Sequence, residues 1–148
     1  MHAQYVTLGA CDEVFGAPVD KVQEILDSRS ISRLPQMPPA MLGIIDVRGQ
    51  TIPVVDLRHA LGFDTAPDTA HTRILVVTVE RPGGSATLGI RADRVFEVAG
   101  LDTQLEVPAA AGGRWSAPCV AGIGRRSGGF VTVLDLDALL QAMDVPST

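Results

Sequence analysis

Met41-Leu42-Gly43-Ile44-Ile45-Asp46-Val47-Arg48-Gly49-Gln50-Thr51-Ile52-Pro53-Val54-Val55-Asp56-Leu57 is the stretch on which the fold turns. Two runs rich in β-branched residues, 41–47 and 51–56, flank Arg48-Gly49-Gln50, where Gly49 supplies the positive φ that a tight hairpin demands. Pro53 has no N–H to give a ladder, so its nitrogen must lie at an edge or turn outward. Asp56 stands where a carboxylate can cap a short helix running to Leu61, and Gly62 follows as its terminator.

This unit returns later in the chain. Gly43-Ile44, Gly49, Val54, Asp56-Leu57 and Leu61 reappear as Gly122-Ile123, Gly128, Val133, Asp135-Leu136 and Leu140, an offset of 122 − 43 = 79 residues. A second pattern repeats as well: Gly16-x-x-x-Asp20-x-Val22-x-Glu24-Ile25 recurs as Gly89-x-x-x-Asp93-x-Val95-x-Glu97-Val98, an offset of 89 − 16 = 73. The order is the same in both copies. Duplicated turns and strand ends double a usable surface, whereas a unique reactive constellation gains nothing from them, so the repeat points to a binding module.

Outward from these copies the chain reads as short strands. Gln4 to Gly9 and Val14 to Pro18 flank the polar turn Cys11-Asp12-Glu13, and Val19 to Leu26 reads as a short turn feeding a strand. Leu34-Pro35-Gln36-Met37-Pro38-Pro39 removes three backbone donors and reads as a surface loop, and Asp64 to His71 links the halves. Arg73 to Val79 is a central strand of the second half, answered across Pro82-Gly83-Gly84-Ser85 by Ala86 to Ile90. Ala109 to Gly113 is a Gly-rich loop, and Arg125-Arg126-Ser127-Gly128-Gly129 stands where the first copy has its hairpin. Leu136, Leu139, Leu140 and Met143 carry helical spacing behind Asp135. The expected class is all-β with short helices: two small barrels related by internal duplication, with a groove at their seam.

At 148 residues the chain suits one compact domain. A net charge of −5 repels phosphate backbones, which argues against nucleic acid. The start Met1-His2-Ala3-Gln4-Tyr5 lacks a signal-peptide layout and no run is apolar enough for a membrane span, so a cytosolic protein is expected, with no direct membrane insertion. Cys11 and Cys119 have no second Cys or His at ligand spacing, and His2, His59 and His71 are not set to converge on a metal. No Gly-x-Ser-x-Gly elbow surrounds a serine, and no Gly-rich turn precedes Lys-Ser/Thr. Neither cofactor, metal nor catalytic residues are expected. Asp20 and Asp93, at equivalent repeat positions, read as caps of local Asx-type turns.

Pro18-Val19-Asp20-Lys21-Val22-Gln23-Glu24-Ile25, the 43–58 stretch, Leu88-Gly89-Ile90-Arg91-Ala92-Asp93 and Val133-Leu134-Asp135-Leu136 together resemble the CheW-like family of chemotaxis coupling proteins, over essentially the whole length. The resemblance implies two five-stranded SH3-like β-barrels within a single CheW-like domain over 1–148. The first barrel is expected at about 10–66 and the second at about 71–148, with the N-terminal strand open to sharing between them. It implies an adaptor without catalysis that links the cytoplasmic tip of methyl-accepting chemoreceptors to the regulatory domain of a CheA-type histidine kinase. It also implies recruitment to membrane-associated receptor arrays. The receptor-facing positions it implies are Val22, Glu24, Gly43, Arg48, Gly49, Thr72, Gly89 and Val98. The hairpin of the family usually reads Asn-Leu-Arg-Gly; here it is Asp46-Val47-Arg48-Gly49, and the Asp46 carboxylate is expected to draw the guanidinium inward.

Glu24 and Arg48 could pair at the groove mouth, where an exposed pair adds only about 0–1 kcal/mol to stability and a requirement for both would point to recognition. Gly43, Gly49 and Gly89 read as backbone necessities first. Other readings remain open: the same role in another array such as one controlling surface motility, a small hydrolase using Cys119 or a histidine, or a self-association domain.

Overall fold

The structure, a computed structural model, describes residues 4–101, 119–126 and 129–142. The expected loop at Ala109–Gly113, the turn residues Ser127 and Gly128, and Met143 lie outside the described residues. In chain order the elements are β1 (Gln4–Ala10), β2 (Glu13–Pro18), a 3-10 turn (Val19–Lys21), β3 (Val22–Asp27), β4 (Met41–Val47), β5 (Gln50–Asp56), α1 (Leu57–Ala60), β6 (Arg73–Arg81), β7 (Gly84–Ala92), β8 (Arg94–Gly100), β9 (Val120–Arg126), β10 (Gly129–Leu134) and α2 (Leu136–Ala142). Both helices begin where the capping argument places them: Asp56 accepts from the Arg58 N–H at 3.3 Å, and Asp135 from Ala138 at 3.1 Å.

Two five-stranded sheets form, in the orders β8-β1-β2-β10-β9 and β3-β6-β7-β5-β4. The duplication is visible in them. Gly16 lies opposite Val133 in the parallel β2–β10 ladder, and Gly89 lies opposite Val54 in the parallel β7–β5 ladder, each pair being the repeat image of the other. The division at 10–66 and 71–148 does not describe the barrels, however. The first sheet takes β1 and β2 from the first copy and β8, β9 and β10 from the second, while the other sheet takes β6 and β7 from the second copy and β3, β4 and β5 from the first, so the copies exchange hairpins. The cause lies in the connections: β2 passes to β3 through three 3-10 residues and β7 to β8 through Asp93 alone, without the residues a hairpin turn needs, so the chain crosses to the other sheet.

Each sheet curls onto itself as an SH3-like barrel. Ser32, beyond β3, makes a two-bond bridge to Ile44 of β4 (2.9 and 2.8 Å), joining the two edges of its sheet. Pro53 is on an interior strand, but the β5–β7 ladder covers only Val54 to Asp56, so the missing donor falls one residue before pairing starts. Leu26, Ile45, Ile52, Val54, Ile74 and Val76 fill one barrel, and Tyr5, Leu101, Val131 and Val133 fill the other. Between them lies a larger core that takes Val6 and Leu8 from β1, Val55, Leu75, Val77, Leu88 and Ile90 from the facing sheet, and Leu136, Leu139 and Leu140 from α2.

Ion pairs tie the crossing junctions to the helices. Arg58 of α1 grips Asp93 (2.6 Å), and its repeat image, Asp137 of α2, pairs with Lys21 (3.4 Å). Both junctions carry an Asp-basic dipeptide, Asp20-Lys21 and Asp93-Arg94, and each helix uses the member of opposite charge to its own. Asp93 is therefore not a local Asx cap: its carboxylate accepts from Arg58 and from the backbone N–H of Cys11 (2.9 Å), 82 residues away.

Candidate functional site

The β4–β5 hairpin closes through Arg48-Gly49, with Val47 opposite Gln50, so the turn is two residues and Gln50 already belongs to the strand. Both turn residues are left-handed, Arg48 at φ 51° and Gly49 at φ 81°. A non-glycine residue there costs about 1–2 kcal/mol, so Arg48 sits at a position that conformation alone would give to Asn or Gly. Its guanidinium reaches Glu24 on β3 through two contacts, Nη1 to Oε1 at 2.7 Å and Nη2 to Oε2 at 2.9 Å. The pair spans the two edges of its barrel. Arg48 is 76% exposed and Glu24 23%, which places the carboxylate at the surface with the guanidinium laid over it. Asp46 is exposed, and the guanidinium goes to Glu24 rather than to it, contrary to the expectation from the altered hairpin.

The eight expected positions fall into three groups. Val22 and Glu24 on β3, Arg48 and Gly49 in the turn, and Gly43 on β4 belong to the edge that the ion pair closes. Gly43 is set by close approach: a Cβ there would drive into the Ser32 carbonyl oxygen and break the bridge that shuts the barrel. Thr72 and Gly89 are interior. Thr72 is 3% exposed and its hydroxyl accepts from the Thr69 N–H at 2.9 Å, while a Cβ on Gly89 would lie 2.9 Å from Ile74 Cγ2. Val98, 51% exposed, lies on β8 of the other sheet, and its repeat image Ile25 is 43% exposed on β3.

The 73-residue offset alone pairs Ile25 with Val98, so this second exposed apolar position was legible in the sequence. The offset also exposes a second latch. Glu97, image of Glu24, pairs with Arg126 of β9, joining the two edges of the other barrel. Exposed aromatics accompany it: Arg94 stacks on Phe96 at 5.2 Å and Arg125 on Phe130 at 5.1 Å. A shallow cavity of about 230 Å³ opens beside Phe96, lined by Gly9, Asp12, Glu13, Asp93 and Arg94 among others. Its Asp93 carboxylate is already engaged by Arg58.

The electrostatics do not prepare Cys119 as a nucleophile. Burial pushes the Cys119 thiol above its ordinary value, which disfavours the reactive thiolate. His59 is exposed on α1. Among the described residues no three His, Cys, Asp or Glu side chains gather as a metal site would require, and no helix is long and apolar enough to cross a membrane. The Arg58 hydrogen bonds hold the Asp93 carboxyl below the usual range, and those of Ser28 and Arg91 do the same for Asp68. Asp56 goes the other way, raised by burial against the opposing charge of Arg91.

Twin barrels whose edges are latched by surface ion pairs, with apolar side chains alongside, are the equipment of a protein-binding module. The family model of the CheW-like domain matches residues 4–144, and the chain belongs to that family. The solved structure of the scaffolding protein TtCheW from Thermoanaerobacter tengcongensis superposes with a TM-score of 0.81 at 26% identity, covering 94% of this chain and 92% of that one. Protein FrzA of Myxococcus xanthus is 29% identical over 128 residues, 85% of this chain and 78% of its own length. The chemotaxis protein CheW of Helicobacter pylori is 25% identical over 93% of this chain and 81% of its own. A probable chemotaxis protein CheW of Rhizobium etli is 30% identical over 66% of this chain and 60% of its own length.

Proposed function

We propose that the protein is a non-enzymatic coupling protein of chemotaxis. In this reading one face binds the cytoplasmic tip of methyl-accepting chemoreceptors, and another binds the regulatory domain of a CheA-type histidine kinase. The observation that carries it is the two-contact Glu24–Arg48 pair on a barrel edge in a chain of this family. An ion pair so exposed adds little to folding, and complementary charge on a partner gives it a use in recognition. Val22 and Ile25 beside it, and Val98 on the other barrel, supply apolar contact. Gly43 and Gly89 act by keeping the barrel closed and packed, and Gly49 by keeping the turn. Holding two partners at fixed geometry raises their effective concentration and lets receptor state bias the kinase without any bond being made. The protein then works in the cytoplasm, recruited to membrane-associated arrays.

Co-purification from the native host through a C-terminal tag tests this, scored for a histidine kinase and a membrane receptor together. Recovery of both is expected, and recovery of neither refutes the reading. Which kinase and receptor are recovered separates a chemotaxis array from one serving surface motility.

A further inference from the structure

Two features stay unexplained by a receptor-facing edge: Thr72, buried beyond a partner's reach, and a charge cluster beneath the segment that joins the two copies. Asp56 is 2% exposed, and its Oδ2 has no hydrogen-bond partner. Its Oδ1 lies 3.7 Å from Arg91 Nη1. Arg91 in turn grips the joining segment, donating from Nε to Asp68 Oδ1 at 2.6 Å and from Nη2 to the Ala66 carbonyl at 2.5 Å. The other oxygen of Asp68 accepts from the Ser28 hydroxyl at 2.6 Å, and Ser28 is the residue that follows β3. Just downstream, Thr69 and Thr72 close a turn on each other through Thr69 N to Thr72 Oγ1 and Thr72 N to Thr69 O.

The repeat tells what the cluster is for. The counterpart of Arg91 in the other copy is Pro18, and that of Asp56 is the exposed Asp135. A device needed merely to build an SH3-like barrel would recur in both copies; among the described residues this one occurs beside β3, the strand that carries Glu24, and not beside β8. As an edge strand, β3 has a single ladder neighbour, β6, and its register slips between Val22 and Glu24. Such a strand frays unless its end is held.

We propose that Arg91 is a positioning residue for partner binding. Through Asp68 and Ser28 it clasps segment 64–72 to the end of β3, and so fixes the edge that presents Val22, Glu24 and Ile25. Thr72 acts inside this clasp, by holding the turn, and not by touching a partner. What the edge binds rests on the coupling role proposed above.

The test uses the full-length protein with Arg91→Gln, Asp68→Asn and the double variant. Three quantities are measured: affinity for a recombinant receptor-tip fragment by calorimetry, amide hydrogen exchange, and thermal unfolding. Loosening the clasp until the competent edge is populated a tenth of the time raises the apparent Kd about tenfold. Each single variant is expected to show a loss of that order, the double no more than either single, with faster exchange confined to 24–28 and 69–72. Unchanged affinity, additive losses, or acceleration spread evenly over both barrels overturns the proposal. Should Arg91→Gln not fold, because it strips Asp56 of its cation, Asp68→Asn carries the test, since it leaves Arg91 on Asp56. If the wild-type protein does not bind the fragment, the coupling role fails. The clasp is then judged on the exchange pattern of Asp68→Asn alone, where even acceleration or none refutes it.

Discussion

Replacing Arg48 by Glu sets two carboxylates where the structure has contacts of 2.7 and 2.9 Å. The cost to folding is small, because Arg48 is 76% exposed and such a pair contributes about 0–1 kcal/mol in water. The left-handed turn changes little, since Glu and Arg meet the same backbone penalty at φ 51°. For a domain of this size about 1 kcal/mol moves Tm by roughly 2–4 °C, so thermal unfolding should stay within that span of wild type. Binding behaves differently. A charge desolvated at an interface and then reversed costs about 2–5 kcal/mol, thirtyfold or more in Kd, and a receptor-tip pull-down should fall to background. The exchange variant Glu24→Arg/Arg48→Glu separates recognition from shape, because it restores the intramolecular pair with polarity inverted. Binding that stays lost in the exchange variant means the partner reads the charges; binding that returns means the pair serves as a latch. Unimpaired binding by Arg48→Glu alone refutes the assignment of this edge as the receptor face.

Other perturbations sort folding from function. Gly43→Ala collides with the Ser32 carbonyl and should remove several kcal/mol, read as a Tm loss above about 10 °C, whereas Gly49→Ala, with no atom within 4 Å of its added Cβ, should cost only the left-handed penalty of about 1–2 kcal/mol. The carboxyls of Asp68 and Asp93 are lowered in the fold, so their stabilisation is complete above the ordinary carboxylate range near pH 4 and lost as pH falls through their folded values. Asp56 is raised, so its contribution runs oppositely, present at low pH and lost as pH rises through its folded value. Thermal unfolding between about pH 3 and 7 should therefore show a flatter acid limb for Asp93→Asn and a steeper one for Asp56→Asn, and identical limbs would contradict the cluster described.

The local elements were legible because each rests on nearest-neighbour chemistry: Asp56 and Asp135 as caps, Gly49 as the turn residue, Pro53 with its nitrogen clear of the β5–β7 ladder. The repeat was legible as well, since like segments spell alike. Which copy a strand pairs with was not, because the repeat makes the two candidates look the same, and both faces of β1 are buried, Tyr5 entering one core while Val6 and Leu8 enter another. A signal did exist in the two connections that carry no hairpin turn, at Asp20-Lys21 and Asp93. Among the expected binding positions, Glu24 and Arg48 meet as pattern and charge suggest. Thr72 is buried in a turn that it closes with Thr69, contacts that sequence spacing does not reveal.

The crossing carries a consequence that a sequential pair of barrels would not. Cutting the chain between Asp64 and Thr65 leaves β1–β2 and β4–β5 on one fragment and β6–β7 and β9–β10 on the other, while the ladders β1–β8, β2–β10, β3–β6 and β5–β7 all span the cut. Neither fragment retains a complete sheet, and isolated hairpins are marginal in water. A chain nicked at an inserted protease site there should elute as one species of about the intact 15.6 kDa. Its unfolding midpoint should rise with protein concentration, because folding has become association. Separately folded fragments, each with its own transition, would show that the barrels are sequential and that the exchange of hairpins is wrong. The same exchange couples the two barrels mechanically: any relative motion of them must strain the 3-10 junction or Asp93, and each is tied to a helix by an ion pair.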